Sequence, residues 1–264
     1  MRYLIGLVAL LFFGQAGSLQ SAAQEPPVAV AGQTIVAEKL HYDISFLWLN
    51  RAAQAQISLQ PDGPGGRFRL ELEARTLGLS AWATGDRRQR FVSLVQKDEK
   101  GVLHTLEHAS DTHSTKRGVS RSRLKHLRYD AKGRKVIQQV VRDGERRPEE
   151  VFTLLGPMPF DFLAGFYNFR AGAFGPLKVG AQFRIPTFAR GQESEIKVRV
   201  LTTAEARSAK LPSNGLAIRV NMDPEVFDTG DGTVYVWFDP QGRPARVIVK
   251  NVVGFGDVRG TLRP

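Results

Sequence analysis

Polar and apolar residues alternate along much of the chain. From Arg67 to Arg75 every second residue is apolar, and the residues between are charged or polar. A β-strand turns two such sets to opposite faces, so one face meets a core and the other meets water. The run from Gln54 to Gln60 repeats the pattern, and residues 61–66 between the two runs are rich in Pro and Gly. The two runs therefore predict a β-hairpin.

The same period of two returns in the second half of the chain. Alternating runs cover residues 196–201, 216–223, 233–238 and 243–251, and the Asp-Pro-Gln-Gly sequence at 239–242 is typical of a type I turn. Alternating strands joined by short turns favour antiparallel pairing over βαβ units. We therefore predict an all-β dominated chain, folded as a curved antiparallel sheet or a partly open β-barrel with one short aromatic-rich helix.

The segment at residues 156–170 breaks the alternation and supplies this helix. Its apolar residues recur at helical spacing in two stripes, one made of Phe160, Leu163, Ala164 and Tyr167 and the other of Phe162, Phe166 and Phe169. A helix that is apolar on two sides must be covered on two sides. It either plugs the mouth of the sheet as part of a packed core or lines a pocket for an apolar ligand. The candidate ligand-lining residues are Phe160, Leu163, Phe166 and Tyr167.

The N-terminus has the form of a secretory signal. Arg2 precedes an apolar run over residues 3–13, and Ser21-Ala22-Ala23 places small residues before a cleavage site. We predict a signal peptide at 1–23 and a periplasmic location. We expect residues 24–264 to form a single β domain, with 24–38 as a flexible lead. No later stretch is apolar for long enough to cross a bilayer, so we expect no transmembrane span in the mature chain.

The cysteine count and the net charge limit the ligands and partners that the chain can have. The chain has no cysteine, which excludes disulfides, thiolate metal sites and a cysteine nucleophile. Its formal net charge is +11, and twelve Lys+Arg face three Asp+Glu between residues 113 and 147. In that stretch Arg121, Arg123 and Lys125 share one strand face; we call these three, with the adjoining Arg128, the basic stripe. It either keeps the chain soluble or meets an anionic lipid or another acidic envelope polymer.

Nucleic acid fits the charge of the stripe but not the predicted compartment. Aromatic residues are also not interleaved with the basic ones, as a base-stacking platform would need. We therefore expect no nucleic-acid partner.

Residues that would carry chemistry are scarce. Asp228-Thr229-Gly230 matches the triplet of aspartic proteases, but those enzymes need two such carboxylates and the chain has one copy. His104, His108 and His113 lie close in sequence; because 111–114 has the composition of a turn, we expect solvent-facing histidines rather than a metal site. No nucleophile elbow, phosphate loop or dinucleotide fingerprint occurs. We therefore expect no catalytic residue, metal or cofactor, and no enzyme activity.

Ordered motifs over most of the mature chain resemble a known family. They are His41-Tyr42-Asp43-Ile44-Ser45-Phe46 with 53–55, the acidic-then-aromatic run at 160–170, the hairpin at 234–239 and 243–247, and the final strand at 254–262. Together they resemble the bacterial envelope family called domain of unknown function 3108 (DUF3108). The chain departs from it at Ala52-Ala53, where the family tends to have glycine, and this weakens only a local turn prediction.

The resemblance implies an exported β-sheet protein of Gram-negative bacteria. It also implies a curved, partly open barrel around a helix, like that of lipoprotein carriers, and it brings no catalytic residues. The first hypothesis is a non-enzymatic envelope protein that holds a lipid-like or apolar ligand in a half-barrel with a basic outer face. The alternatives are a structural or interaction protein of the envelope with a filled core, and a hydrolase of envelope polymers that uses unrecognised carboxylates.

Overall fold

A computed structural model describes residues 37–46, 49–77, 86–227, 229–252 and 256–264. Their strands are β1 (Glu38–Phe46), β2 (Leu49–Pro61), β3 (Arg67–Thr76), β4 (Asp86–Lys97), β5 (Leu103–Lys116), β6 (Val119–Asp130), β7 (Lys135–Arg142), β8 (Glu145–Arg146), β9 (Glu150–Thr153), β10 (Gln182–Ala189), β11 (Gln192–Val200), β12 (Leu216–Asn221), β13 (Thr233–Phe238), β14 (Pro244–Val252) and β15 (Gly256–Leu262). The helices are α1 (Phe162–Arg170), α2 (Thr203–Ser208) and a 3₁₀ turn at Pro224–Val226.

All fifteen strands belong to one antiparallel sheet, which confirms the predicted fold class. The spatial order runs from β10 to β15, then from β1 to β8, and β9 pairs with β7. Nearly every neighbour in the sheet is also a neighbour in sequence. Besides the pairing of β9 with β7, one non-sequential pairing joins the two halves, that of β15 with β1 through registers such as Tyr42↔Leu262 and Phe46↔Val258.

Helix α1 lies inside the curve of the sheet and separates two apolar clusters. Phe169 belongs to the cluster formed with β10 to β13. Leu163 and Tyr167 belong to the cluster formed with β1 to β5. Asn168 is fully buried, and its side-chain amide makes two hydrogen bonds, of 2.8 and 2.9 Å, with the backbone of Leu103 at the start of β5. The helix is therefore fastened to the sheet by both apolar packing and directed hydrogen bonds.

The two ends of the sheet approach each other through side chains. In the part of the chain that the structure describes, no ladder joins β8 or β9 to β10. Instead, the rings of Phe152 and Phe188 lie 5.2 Å apart between centroids. The backbone N–H of Gly156 donates to Glu193 over 2.7 Å, and that of Phe160 donates to the Pro186 carbonyl over 2.9 Å. The described strands thus form no continuous ladder across this junction, which side-chain packing and a few hydrogen bonds hold together.

Several local predictions can be compared with these elements. The hairpin predicted from the run at 54–60 and the run at 67–75 is formed by β2 and β3. The turn predicted at 111–114 is wrong, since β5 continues through it and the reversal falls at Arg117 and Gly118, both with positive φ. Their left-handed backbone suits a tight hairpin turn. Residues 1–23 and 24–36 lie outside the described residues, and β1 already begins at Glu38.

Helix α2 was not predicted. Thr202 and Glu205 form a capping box, in which each side chain accepts a hydrogen bond from the other residue's backbone N–H. Such a pair satisfies two orphan donors at a helix start, so it can support a short helix within an otherwise alternating segment.

Candidate functional site

An apolar cavity of about 280 Å³ lies between α1 and the concave face of the sheet. Its walls come from β1 to β4, from β10 to β15 and from one side of α1, and they are almost entirely hydrocarbon. Gln89, near one end, carries the one amide side chain in the described lining. A volume just below the usual range of ligand pockets, about 300–1,000 Å³, suits a small or slender apolar ligand.

Small residues on the floor of the sheet create this space. Gly260 of β15 and Ala53 of β2 flank Ile44 of β1 on the cavity face. Ala55 and Ala74 are directly paired across β2 and β3, and both face the cavity. Larger side chains at these positions would fill the volume, because facing residues in a close-packed interior normally interdigitate.

The structure distributes the four candidate ligand-lining residues between two environments. Leu163 and Phe166 line the cavity. Tyr167 is buried on the other side of α1 against β1 to β5, and Phe160 stacks edge-on against Phe174 with ring centroids 5.7 Å apart. The second apolar stripe of the sequence contributes more, since Phe162 and Phe169 also line the cavity.

A buried polar cluster lies behind the cavity wall at Tyr42. Arg170 forms an ion pair with Glu38 and lies over the ring of Tyr167, 5.5 Å from its centroid. The hydroxyl of Tyr42 donates to the Pro244 carbonyl over 2.8 Å. Burial raises the pKa values of both tyrosines, so their hydroxyls stay protonated.

The cavity adjoins a polar pocket of about 400 Å³. The two spaces share wall residues, namely Gln89, Phe91, Phe162, Ile196 and Met222. Its polar walls are formed by the inner faces of β4 to β6, by the turn after β10 and by residues 223–226. The apolar cavity and the polar pocket are therefore neighbours.

Beneath this pocket, Asp161 is the N-cap of α1 and lies at the centre of a buried network. Its carboxylate accepts hydrogen bonds from the hydroxyls of Ser93 and Thr105, both over 2.7 Å, and from the backbone N–H groups of Leu163 and Ala164. Burial acts to raise its pKa, but the His108 ring, whose Nδ1 atom lies 3.5 Å from the carboxylate, and the two hydroxyls outweigh burial and lower the pKa. Asp161 therefore stays ionised although it is almost fully buried.

His108 completes the network and corrects a prediction. We expected solvent-facing histidines, but His108 is buried, with its Nδ1 atom 2.9 Å from the Ser93 hydroxyl. Because the Ser93 hydroxyl already donates its single proton to Asp161, the Nδ1–H of His108 must be the donor. His104 and His113 are exposed as expected.

A model of the family described as "Protein of unknown function (DUF3108)" matches residues 41–263. The chain belongs to the DUF3108 family. No curated protein and no solved structure is significantly similar to it.

In this DUF3108 chain Arg121, Arg123 and Lys125 share one face of β6, as their spacing predicts, and Arg128 lies on the other. Arg123 and Lys125 point to the concave side and line the polar pocket, with Leu127 and Tyr129 buried beyond them on the same face of β6. Arg128 lies on the opposite face and pairs with Glu149 over 3.4 Å, and Arg121 is exposed beyond the pocket. The spacing of these residues predicts which of them share a face of β6. Which of the two faces is concave depends on the curvature of the whole sheet.

The network around Asp161 of the DUF3108 chain was not predicted. Two signals were present: an acidic residue directly before a helical run, typical of an N-cap, and the polar Ser93 and Thr105 at inward positions of apolar strands. No local pattern predicts that these side chains are in contact, since Ser93 and Asp161 are 68 residues apart.

The described residues of the DUF3108 chain contain no group of three or more His, Asp or Glu arranged to hold a metal ion. No helix among them is long and apolar enough to cross a membrane. Asp228 of the protease-like triplet lies outside the described residues.

Proposed function

We propose that this protein is an exported, non-enzymatic component of the cell envelope that holds a lipid-like or otherwise apolar ligand between α1 and the sheet. The observation that carries the proposal is the apolar cavity of about 280 Å³. The envelope location rests on the signal-like N-terminus and on the envelope family that the motifs resemble.

The energetic cost of an empty cavity supports this function over a purely structural role. At about 24 cal/mol per Å³, an enclosed and unfilled cavity of this size would cost about 7 kcal/mol, and a partly open one costs a share of that. The whole free energy of unfolding of a typical domain is only about 5–15 kcal/mol. A protein with only a structural or interaction role has no reason to retain such a cost, whereas a ligand that fills the space removes it.

The test measures binding of N-phenyl-1-naphthylamine, an uncharged fluorophore that brightens in apolar surroundings. We expect saturable binding with one site on the mature protein. Ala55→Phe should weaken it at least about tenfold, because the new ring occupies the cavity. Gln56→Phe is the matched control, since this neighbouring residue of β2 points to the opposite face.

Thermal unfolding of both variants accompanies the titration, and Ala55→Phe should melt no lower than Gln56→Phe because its ring is buried. Absence of saturable binding to the parent protein would refute the proposal. Equal binding by the two variants would also refute it. Native mass spectrometry of the protein from its own periplasm, followed by lipid extraction, then identifies the natural occupant.

A further inference from the structure

Among the described residues, the charges of the polar pocket leave two of its cations without an ion-pair partner. Its charged lining consists of Arg87, Arg123, Lys125 and Arg190 against Asp161, Asp223 and Glu225. Asp161 is engaged below the pocket by the hydroxyls and by the start of α1. Asp223 is engaged by Arg190 over 3.1 Å, and Glu225 lies 3.9 Å from the same guanidinium. Among the described residues, neither Arg123 nor Lys125 takes part in an ion pair.

Lys125 is the more constrained of the two. It is half-buried, and the loss of water around it lowers its pKa; the charges of Glu225 and Asp223 oppose this effect and that of Arg123 adds to it. A cation with little water and no direct partner is stabilised when an anion comes into contact with it. Arg123 lies two residues along the same face of β6 and supplies a planar set of donors that matches a carboxylate or a phosphate.

The direction of the cavity fixes how such an anion would be attached. Tyr42 lines the cavity beside the Arg170 cluster, and the cavity adjoins the polar pocket at Phe91 and Phe162, which line both spaces. A ligand in the cavity therefore presents its polar end to Arg123 and Lys125. The cavity is too small for two long hydrocarbon chains side by side, because its volume lies just below the range of pockets for compact ligands, about 300–1,000 Å³.

We propose that the protein selects a single-chain amphiphile with an anionic head, either a carboxylate or a phosphate, whose head contacts Arg123 and Lys125 in the polar pocket and whose hydrocarbon chain fills the apolar cavity. This inference rests on the proposed function and adds the chemical class of the ligand and the residues that recognise it.

The test uses three twelve-carbon competitors that displace N-phenyl-1-naphthylamine: dodecanoate, dodecyl phosphate and 1-dodecanol, all kept below their aggregation limits. They share one chain and differ in the head, so the ratio of their affinities isolates the head group. The parent protein should bind at least one of the two anions about tenfold or more tightly than the alcohol, and the tighter anion identifies the head.

Two double variants assign that preference to the pocket. Arg123→Gln with Lys125→Gln should reduce the preference to about twofold or less while leaving the affinity for 1-dodecanol unchanged. Arg128→Gln with Lys132→Gln is the matched control, because it also removes two cations from or beside β6 but both are exposed and neither lines the pocket. It should keep the full preference.

The outcomes separate this inference from the proposed function. Equal affinities of the parent protein for the alcohol and both anions would overturn the head-group site while leaving the apolar function intact. An equal loss of anion preference in the two double variants would also overturn it, since general surface charge would then be the cause. Failure of the parent protein to bind the fluorophore and 1-dodecanol would overturn the proposed function itself.

Discussion

Removing the carboxylate of Asp161 should destabilise the whole fold, because this group joins α1 to β4 and β5. Asp161→Ala deletes the N-cap, which costs about 1 kcal/mol. It also leaves the hydroxyl of Thr105 without its acceptor in a buried site, which costs about 1–3 kcal/mol. Ser93 is partly rescued, since the other tautomer of His108 can accept its proton. The expected total is about 3 kcal/mol.

Asp161→Asn separates shape from charge in the same experiment. The amide keeps one oxygen for capping but turns an N–H₂ group towards one hydroxyl, so we expect a loss of about 1–2 kcal/mol. Because the pKa of Asp161 is lowered in the folded protein, its carboxylate contributes stability above its ordinary pKa of about 3.9, and this contribution is lost as the pH falls towards the folded value. The difference between the parent protein and Asp161→Asn should therefore shrink below about pH 4.

Urea unfolding followed by far-ultraviolet circular dichroism measures both effects. With a slope of about 1–3 kcal/mol per molar, the Ala variant should shift its midpoint by about 1 M or more at pH 7. Midpoints for Asp161→Ala within experimental error of the parent would refute the reasoning. The reasoning would also be refuted if the difference in free energy of unfolding between the parent protein and Asp161→Asn increased as the pH falls.

Two further predictions concern the helix and the N-terminus. Gly165→Ala should raise the free energy of unfolding by about 0.5–1 kcal/mol, because the residue is inside α1 and an added Cβ atom would meet Ile185 at 3.5 Å, an ordinary contact; a lower urea midpoint would contradict this. The protein recovered from the periplasm should begin at Gln24, as determined by N-terminal sequencing, and a chain that begins at Met1 would contradict cleavage after Ala23.

The sequence determines the strands of this protein better than it determines the site. Alternation in β2 and β3 was sufficient because successive side chains of a strand point to opposite faces, a property of neighbouring residues. The helical spacing around Leu163 and Phe166 likewise predicted α1 from local information. Its two apolar stripes predicted coverage on both sides, and the structure provides this with one cluster on each side of the helix.

The cavity and the polar pocket depend on information that no local pattern carries. Whether Ala55 and Ala74 leave space or are filled from above depends on where α1 lies relative to them. The partners of Asp161 come from strands far away in sequence, and the inward direction of Lys125 follows from the curvature of fifteen strands. These are properties of the assembled sheet, so sequence reasoning could propose a ligand-holding interior but could not distinguish it from a filled one.

The pairing of β1 with β15 has a consequence for how the chain folds. The first and last strands of the sheet in sequence are adjacent in space, so the two halves cannot join until residues 256–262 are present. Until then β1 offers an unpaired edge, and such edges promote association between chains. Contacts over such long sequence separations also slow the search for the native state. The seven residues of β15 therefore determine when a newly made chain stops being prone to aggregation, although they lie away from the polar pocket.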